Sequence, residues 1–239
     1  MSSLPDRSRI LLFIKAPEAG QVKSRLAARI GDHAALGLYQ CFVLDVLDTI
    51  TTVGSPLTIF FTPVDTHNLI TAWLGQERSY AAQTGSDVGE RMKNAFSVTF
   101  ADGILRAVLI GSDLPDLPAA LIRQAFDALD DCGAVIGPAY DGGYYLIGFR
   151  IDSFTPEIFS NISWGTNKVF AETLQVFERS WTRVHILPVW RDMDTIDDLR
   201  DFTARNRKTG LKSSRTLSLL IGKYAGLLGT EDSDASLRL

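Results

Sequence analysis

The sequence changes character at residues 108–117, where the apolar run V-L-I ends in G-S-D-L-P-D-L. A short run of β-branched and aliphatic residues is typical of a central parallel strand that is covered on both faces. Pro115 and Pro118 prevent this strand from continuing, and apolar residues then recur at helical spacing as far as Leu129. Because ligands of open α/β sheets bind beyond the carboxyl ends of the strands, Asp113 is a candidate site residue. The alternative is that Asp113 only begins a turn or caps the helix.

Composition limits the class of protein without naming it. The chain has 239 residues, of which 46% are hydrophobic, and this suits one large α/β domain. A net charge of −4 argues against a general nucleic-acid surface, which needs clustered Lys and Arg. We find no signal peptide and no uncharged window of membrane-spanning length, and we therefore expect a cytoplasmic protein. Cys41 and Cys132 lie in apolar surroundings and are predicted to be free thiols.

Strand-like and helix-like segments alternate along most of the chain, which predicts a mostly parallel sheet. The segments 134–138 and 144–149 are the exception, because the interval between them is too short for a crossover helix. The turn Asp141-Gly142-Gly143 therefore indicates that the second of these strands is reversed. We expect one domain over residues 1–205, followed over 206–239 by a linker, a short helix and a frayed tail.

The first strand leads into a glycine-containing loop, G-Q-V-K-S-R-L, that begins at Gly20. Lys23 and Arg25, together with the free amides of a helix beginning near Ser24, are suited to holding phosphates. The glycine spacing is not that of a Walker A loop, which argues against an ATPase. The alternative is that Lys23 and Arg25 are ordinary solvated helix charges.

Two further segments carry candidate site residues. Gln83 and the backbone near Gly85 follow a short strand and are candidates to face a nucleobase. The alternative is that Gly85 and Gly89 are only turn residues, which is the common case. Asp192 and Asp194 follow the last predicted strand, and Thr195 is the expected N-cap of the next helix.

The order of these motifs resembles a bacterial family of glycosyltransferase A-type proteins, domain-of-unknown-function family 2064. More distantly, it resembles phospholactate guanylyltransferase and the molybdenum-cofactor guanylyltransferases of the nucleotide-diphospho-sugar transferase superfamily. The resemblance extends from Arg9 to about Phe202. The motifs that carry it are K-x-P-x-x-G-x-V-K-S-R-L, Q-x-G-x-D-x-G-x-R-M, G-S-D-L-P, G-P-A-x-D-G-G-Y-Y-L-I-G, W-x-T and D-x-D-T-x-x-D-L.

This resemblance implies a single three-layer α/β/α, Rossmann-like GT-A domain with one reversed strand in a mixed sheet. It also implies that Lys23 and Arg25 contact nucleoside triphosphate phosphates, while Gln83 and the Gly85 backbone face the base. Asp113 matches a metal-binding acid, and Asp194, with Asp192 as the other candidate, matches the second metal position. Oxygen ligands of this kind suit Mg²⁺ or Mn²⁺.

The predicted reaction is nucleotidyl transfer from a nucleoside triphosphate to a phosphorylated small acceptor. The alternatives are glycosyl transfer from a nucleotide sugar, with Asp141 as base, and a non-catalytic nucleotide-binding regulator. No serine or cysteine occupies a nucleophile motif, and phosphoryl-type transfer needs none. The expected partners are a nucleotide or nucleotide sugar and the acceptor, without nucleic acid or a membrane span; a homodimer is compatible with the sequence.

We expect the acceptor between the turn containing Asp141, Gly142, Gly143 and Tyr144 and the loop Trp164-Gly165-Thr166. The glycine pair would permit close approach, and Trp164 would supply an aromatic platform. This hypothesis requires Trp164 and Asp141 to line one cleft with Asp113 and Asp194. The alternative is that Trp164 is a core anchor and that the two glycines only form a hairpin turn.

Overall fold

A computed structural model describes residues 7–208 and 214–228 of the chain. The strands are β1 Ser8–Lys15, β2 Leu57–Thr62, β3 Ser79–Ala82, β4 Arg106–Gly111, β5 Ala134–Pro138, β6 Tyr144–Arg150 and β7 Val184–Ile186. The helices are α1 Ser24–Ile30, α2 Asp32–Val53, α3 His67–Leu74, α4 Val88–Ala101, α5 Ala119–Asp131, α6 Val169–Arg179, α7 Ile196–Asn206 and α8 Arg215–Gly222.

The described strands form one seven-stranded sheet in the order β3-β2-β1-β4-β6-β5-β7. β6 runs antiparallel to both β4 and β5, and every other neighbouring pair is parallel. The reversed strand follows the Asp141-Gly142-Gly143 turn, as the short interval predicts. The mixed, mostly parallel α/β sheet expected from the sequence is confirmed.

The period of two along β1 divides the core between the two faces of the sheet. Ile10, Leu12 and Ile14 pack with α2, α3 and α5 on one face, whereas Leu11 packs with α4 and α6 on the other. The molecule therefore has three layers. Because both faces are covered, the carboxyl edge of the parallel strands is where loops remain free to form a site.

The helix predicted near the C-terminus is present as α8 and packs on the same body as the rest of the chain. Leu217 and Leu220 join an apolar cluster with Phe42 of α2 and Phe202 of α7. The carboxylate of Asp45 accepts hydrogen bonds from Ser214 Oγ at 2.7 Å and from the backbone N–H of Thr216 at 3.0 Å. Residues 209–213 of the predicted linker and residues 229–239 of the predicted tail lie outside the described residues.

One described helix, α2, is long and apolar enough to cross a membrane by length and composition. Its apolar face, including Val43, Val46 and Ile50, packs against the sheet. The apolar pattern of α2 is thus accounted for by the core. Cys41, on the same helix, and Cys132 are both free thiols.

Candidate functional site

A cavity of about 580 Å³ opens at the carboxyl edge of β1, β2 and β4. Its lining includes Lys23, Arg25, Gln83, Arg91, Asp113 and Asp194. These residues come from segments that are far apart in the sequence, and the parallel strands bring them together. The edge predicted from the end of β4 is therefore where the largest group of predicted site residues meets.

Lys23 lies at the centre of this group. Its ammonium is 2.7 Å from Oδ2 of Asp113 and 2.6 Å from Oδ1 of Asp194, and its side chain is only 5% exposed. Burial lowers the pKa of Lys23, but attraction to the two carboxylates and their hydrogen bonds outweigh it, and the net pKa is raised. Lys23 is thus a buried cation shared by two carboxylates.

The backbone around Lys23 is held in an unusual conformation. Lys23 has a φ of 51° and a ψ of 48°, in the left-handed region, and directly precedes α1. A non-glycine residue in this region costs free energy and persists only where its surroundings enforce it. The ion pairs with Asp113 and Asp194 are such surroundings, because they fix where the side chain must go.

Asp194 is positioned by backbone contacts on both sides of it. The N–H of Met193 donates to the carbonyl of Asp113 at 2.9 Å, which ties the loop before α7 to the end of β4. Thr195 caps α7 in a capping box with Asp198, as its position predicts. Arg25 Nη1 lies 3.5 Å from Oδ2 of Asp194.

The carboxylates of Asp113 and Asp194 converge on the ammonium of Lys23, so oxygen donors from two separate segments face one point. Mg²⁺ needs only one or two protein carboxylates when water and substrate phosphates supply its remaining ligands. The described residues contain no cluster of three or more His, Cys, Asp or Glu side chains placed to hold a metal. The two carboxylates would therefore suit a divalent metal whose remaining ligands come from outside the protein.

Gln83 lines the cavity, but its amide nitrogen is already used. Nε2 donates to the carbonyls of Ile14 at 3.0 Å and Phe60 at 2.8 Å. Only its Oε1 is left for contact with a base. The carbonyl of Gly85 accepts a hydrogen bond from Nε of Arg91 at 3.1 Å, so this part of the loop is folded onto α4.

Trp164 does not share the cavity with Asp113 and Asp194, and this part of the acceptor hypothesis is wrong. Its indole packs on the apolar cluster of the α4 and α6 face and lies so close to Gly89 that an added Cβ would be 2.3 Å from the ring. Trp164 instead lines a separate cavity of about 340 Å³. The alternative, that Trp164 is a core anchor, describes it better. Its indole packs on the apolar cluster and leaves room only for glycine at position 89.

The glycine turn after β5 also contacts protein where a ligand was expected. Gly142 has a φ of 89°, and an added Cβ would lie 2.3 Å from the backbone oxygen of Asn167. The N–H of Gly143 donates to Oδ1 of Asp141 at 2.8 Å. The space beside Gly142, which we expected a ligand to use, is thus occupied by the backbone of Asn167.

Tyr144 and Thr166 are engaged in the same region. The Tyr144 ring meets Trp164 edge-on with 6.3 Å between ring centroids, and burial raises the pKa of its hydroxyl. Thr166 Oγ1 donates to the carbonyl of Ser163 at 2.8 Å. The pocket expected between the two loops is therefore filled by their own contacts.

Comparison with known proteins agrees with this architecture. Residues 46–166 match the model of a family described as uncharacterized protein conserved in bacteria, DUF2064. The chain belongs to the DUF2064 family. No curated protein sequence matches it significantly.

Among solved structures, the DUF2064 chain is similar to a protein from Desulfovibrio desulfuricans G20, provisionally described as a nucleotide-diphospho-sugar transferase. The identity is 42%, the TM-score is 0.90, and 93% of this chain and 97% of that one are covered. This likeness and the DUF2064 match confirm the resemblance drawn from the ordered motifs.

Two more distant structures share the fold. One is 4-diphosphocytidyl-2C-methyl-D-erythritol synthase from Anaerococcus prevotii DSM 20548, at 12% identity and a TM-score of 0.56, with 85% of this chain and 98% of that one covered. The other is a CMP:2-keto-3-deoxy-manno-octonic acid synthetase in complex with CTP, at 9% identity and a TM-score of 0.52, with 83% and 98% covered. Together with the Desulfovibrio protein, these structures show that the DUF2064 chain has the nucleotide-diphospho-sugar transferase fold.

Arg91 and Tyr39 are among the cavity side chains to which sequence reasoning assigned no role. Tyr39 donates its hydroxyl to the carbonyl of Lys15 at 3.0 Å and accepts from the Lys15 N–H at 2.7 Å, which anchors the end of β1. Arg91 lies in the motif Q-x-G-x-D-x-G-x-R-M, four residues after the helix N-cap Asp87. That spacing places it in the first turns of α4, facing the sheet edge, and could have indicated its position.

The motif D-x-D-T contains two carboxylates, Asp192 and Asp194. Lys23 forms an ion pair with Asp194. Burial, then the charges of Asp194 and Asp141, raise the pKa of Asp192 to about 6. The folded protein therefore keeps a proton that the unfolded chain releases between about pH 4 and 6, and stability is lost as the pH rises through that interval.

We expect Asp192→Asn, in EDTA, to raise the free energy of unfolding at pH 7.5 by about 1 kcal/mol, a value reduced for solvent screening of a half-buried group. This increase in the free energy of unfolding should vanish below about pH 4, where the aspartic acid of the wild type is as neutral as the asparagine of the variant. Urea unfolding at several pH values measures it, with Asp197→Asn, an exposed neighbour, as the control. A gain that does not depend on pH would contradict this assignment.

Proposed function

We propose that the protein is a metal-dependent nucleotidyltransferase that joins the nucleotidyl group of a nucleoside triphosphate to a phosphorylated small acceptor. The observation that supports it is the cavity, where two carboxylates and the basic residues Lys15, Lys23, Arg25 and Arg91 converge within the described chain. Such a mixture suits a polyphosphate carried with a divalent cation, because the cations neutralise the phosphates and the carboxylates hold the metal. The CTP bound in a synthetase of the same fold agrees with this proposal.

In the proposed reaction, an oxygen of the acceptor phosphate forms a bond to the α-phosphorus of the triphosphate. The bond from that phosphorus to its bridging oxygen breaks, and pyrophosphate leaves with the electron pair. The attacking phosphate is already ionised, so no protein base is required. Lys23 and Arg25 neutralise charge on the leaving pyrophosphate, which is charge that grows as the bond breaks.

Asp113 and Asp194 would hold Mg²⁺ or Mn²⁺, which supplies Lewis-acid stabilisation of phosphate oxygens when bound. We propose that Lys23 occupies this position in the nucleotide-free protein and moves onto the incoming phosphates. The two carboxylates are then released together. Metal and nucleotide should consequently bind as a unit.

A thermal-shift panel tests the proposed function directly. Nucleoside triphosphates, diphosphates and nucleotide sugars are compared with and without Mg²⁺, and a ligand at 100 times its Kd stabilises by about 2.7 kcal/mol. We expect the largest shift from one triphosphate with Mg²⁺. Asp113→Asn and Asp194→Asn should fold but lose that Mg²⁺-dependent shift, because each removes charge and keeps shape.

Asp130→Asn, an exposed acid outside the cavity, is the matched control and should keep the shift. A larger shift from a nucleotide sugar than from any triphosphate would favour glycosyl transfer. Absence of any nucleotide-dependent shift in the wild-type protein would refute the nucleotidyltransferase proposal.

A further inference from the structure

The loop after β5 exposes an aromatic ring that neither the core nor the cavity uses. Tyr140 is 64% exposed, and the guanidinium of Arg191 lies over its ring, 4.5 Å from the centroid. Arg191 is itself held in place, because Nη1 lies 3.2 Å from Oδ1 of Asp198 and 3.5 Å from Oδ2 of Asp201. Tyr140 thus rests on a fixed planar cation and remains open to solvent.

The backbone places this ring beside the acidic part of the site. Ala139 bridges to Trp190 in parallel, and the N–H of Trp190 donates to the carbonyl of Pro138 at 3.0 Å. The residues that follow each partner, Tyr140 with Asp141 and Arg191 with Asp192, therefore run side by side. Asp192 lies two residues before Asp194, which lines the main cavity.

We propose that Tyr140, supported by Arg191, is the acceptor-binding platform and that it takes the ring of a sugar phosphate. This inference rests on the proposed function and replaces Trp164 as the aromatic element. The C–H face of a sugar ring packs on an aromatic ring, which has a large apolar surface and little rotational freedom to lose.

The polar groups around Tyr140 match the rest of such an acceptor. Carboxylates accept hydrogen bonds only, so Asp141 and Asp192 suit a ligand that is rich in hydroxyl donors. The N–H of Gly143 holds Oδ1 of Asp141 at 2.8 Å and so fixes the direction of that carboxylate. The cationic cavity beyond Asp194 would attract the phosphate. A purely apolar acceptor would leave these carboxylates without partners.

The test measures binding of three probes to the protein in the presence of Mg²⁺. The probes are the 1-phosphates of glucose, galactose and mannose, and saturation-transfer NMR detects their binding. We expect the ring protons of at least one probe to receive saturation from the wild-type protein. Tyr140→Ala should weaken binding of that probe about tenfold, while Tyr140→Trp should stay within about threefold of wild type. Inorganic phosphate should bind wild type and Tyr140→Ala equally, because it has no ring to pack.

Trp181→Ala is the matched control. Trp181 is 94% exposed and precedes β7, so it lies at the opposite edge of the sheet from Tyr140. Sugar phosphates that bind none of these proteins, or that bind Tyr140→Ala as tightly as wild type, would overturn the proposal. The proposal would also be overturned if Tyr140→Ala weakened binding of inorganic phosphate as much as binding of the sugar phosphate. The ring would then only shape the loop. Nucleotide affinity, measured in parallel by calorimetry, separates this failure from failure of the proposed function.

Discussion

Replacing Lys23 with methionine is expected to raise the affinity of the nucleotide-free protein for Mn²⁺ at least about tenfold, or ~1.4 kcal/mol. The direction is opposite to the usual effect of damaging a site. In the wild-type protein the ammonium lies 2.7 Å from Asp113 and 2.6 Å from Asp194 and reduces the repulsion between the two carboxylates. Methionine leaves these carboxylates close together and without a shared cation, a situation that a divalent ion relieves.

The same substitution should weaken triphosphate binding, because a phosphate contact is lost. The expected loss is greater for a triphosphate than for a diphosphate, since more charge is left without a partner. The variant should therefore gain metal affinity and lose nucleotide affinity at once. A merely structural role for Lys23 would move both affinities in the same direction.

Titration of free Mn²⁺ by electron paramagnetic resonance measures the metal affinity, and calorimetry measures the nucleotide affinity. Lys93→Met is the matched control, since it makes the same chemical change at a lysine that pairs with Glu90 at 3.9 Å outside the main cavity. Circular dichroism checks that each variant is folded. An unchanged Mn²⁺ affinity in Lys23→Met would show that the lysine does not compete with the metal.

Asp116→Ala is expected to reduce the free energy of unfolding by about 3–5 kcal/mol. Asp116 has a side chain that is only 2% exposed, and its carboxylate accepts from Arg205 Nε at 2.7 Å, Asn206 Nδ2 at 2.8 Å and Trp190 Nε1 at 3.1 Å. These bonds join the turn after β4 to the loop after β7 and to α7. Removing the carboxylate leaves a buried part of the Arg205 guanidinium without its counter-charge.

Urea unfolding measures the loss at constant pH and ionic strength. Asp130→Ala is the control, because it removes the exposed partner of Arg106 and should cost no more than about 1 kcal/mol. Asp116→Asn should fall between the two, since it keeps the shape and loses the charge. Equal stability of the Asp116→Ala and Asp130→Ala variants would contradict the network assigned to Asp116.

Asp116 also shows how sequence and structure divide the information. It lies three residues after Asp113 in the same segment, and both follow the same strand. The local pattern distinguishes strand from turn, but it does not distinguish a carboxylate that faces a cavity from one that is buried against α7. That distinction depends on where α7 packs, which is set by residues 90 positions away.

Local patterns were sufficient for the architecture. The alternation of strands and helices gave the parallel pairing, and the short interval around Gly142 and Gly143 indicated the reversed strand β6. Such features are encoded by residues close together in the chain, because turn length and burial period act over a few residues. The position of Asp113 at the sheet edge follows from the same rule.

The contacts of the candidate site were decided by the tertiary structure. Lys23 and Asp194 are 171 residues apart, and the sequence does not reveal that they form an ion pair. Nor does it reveal that Gln83 donates to two strand carbonyls, or that Trp164 fills the space above Gly89 while Tyr140 stays exposed. The physical reason is that a side chain's partners depend on how separate strands and helices pack, and that packing is a property of the whole chain.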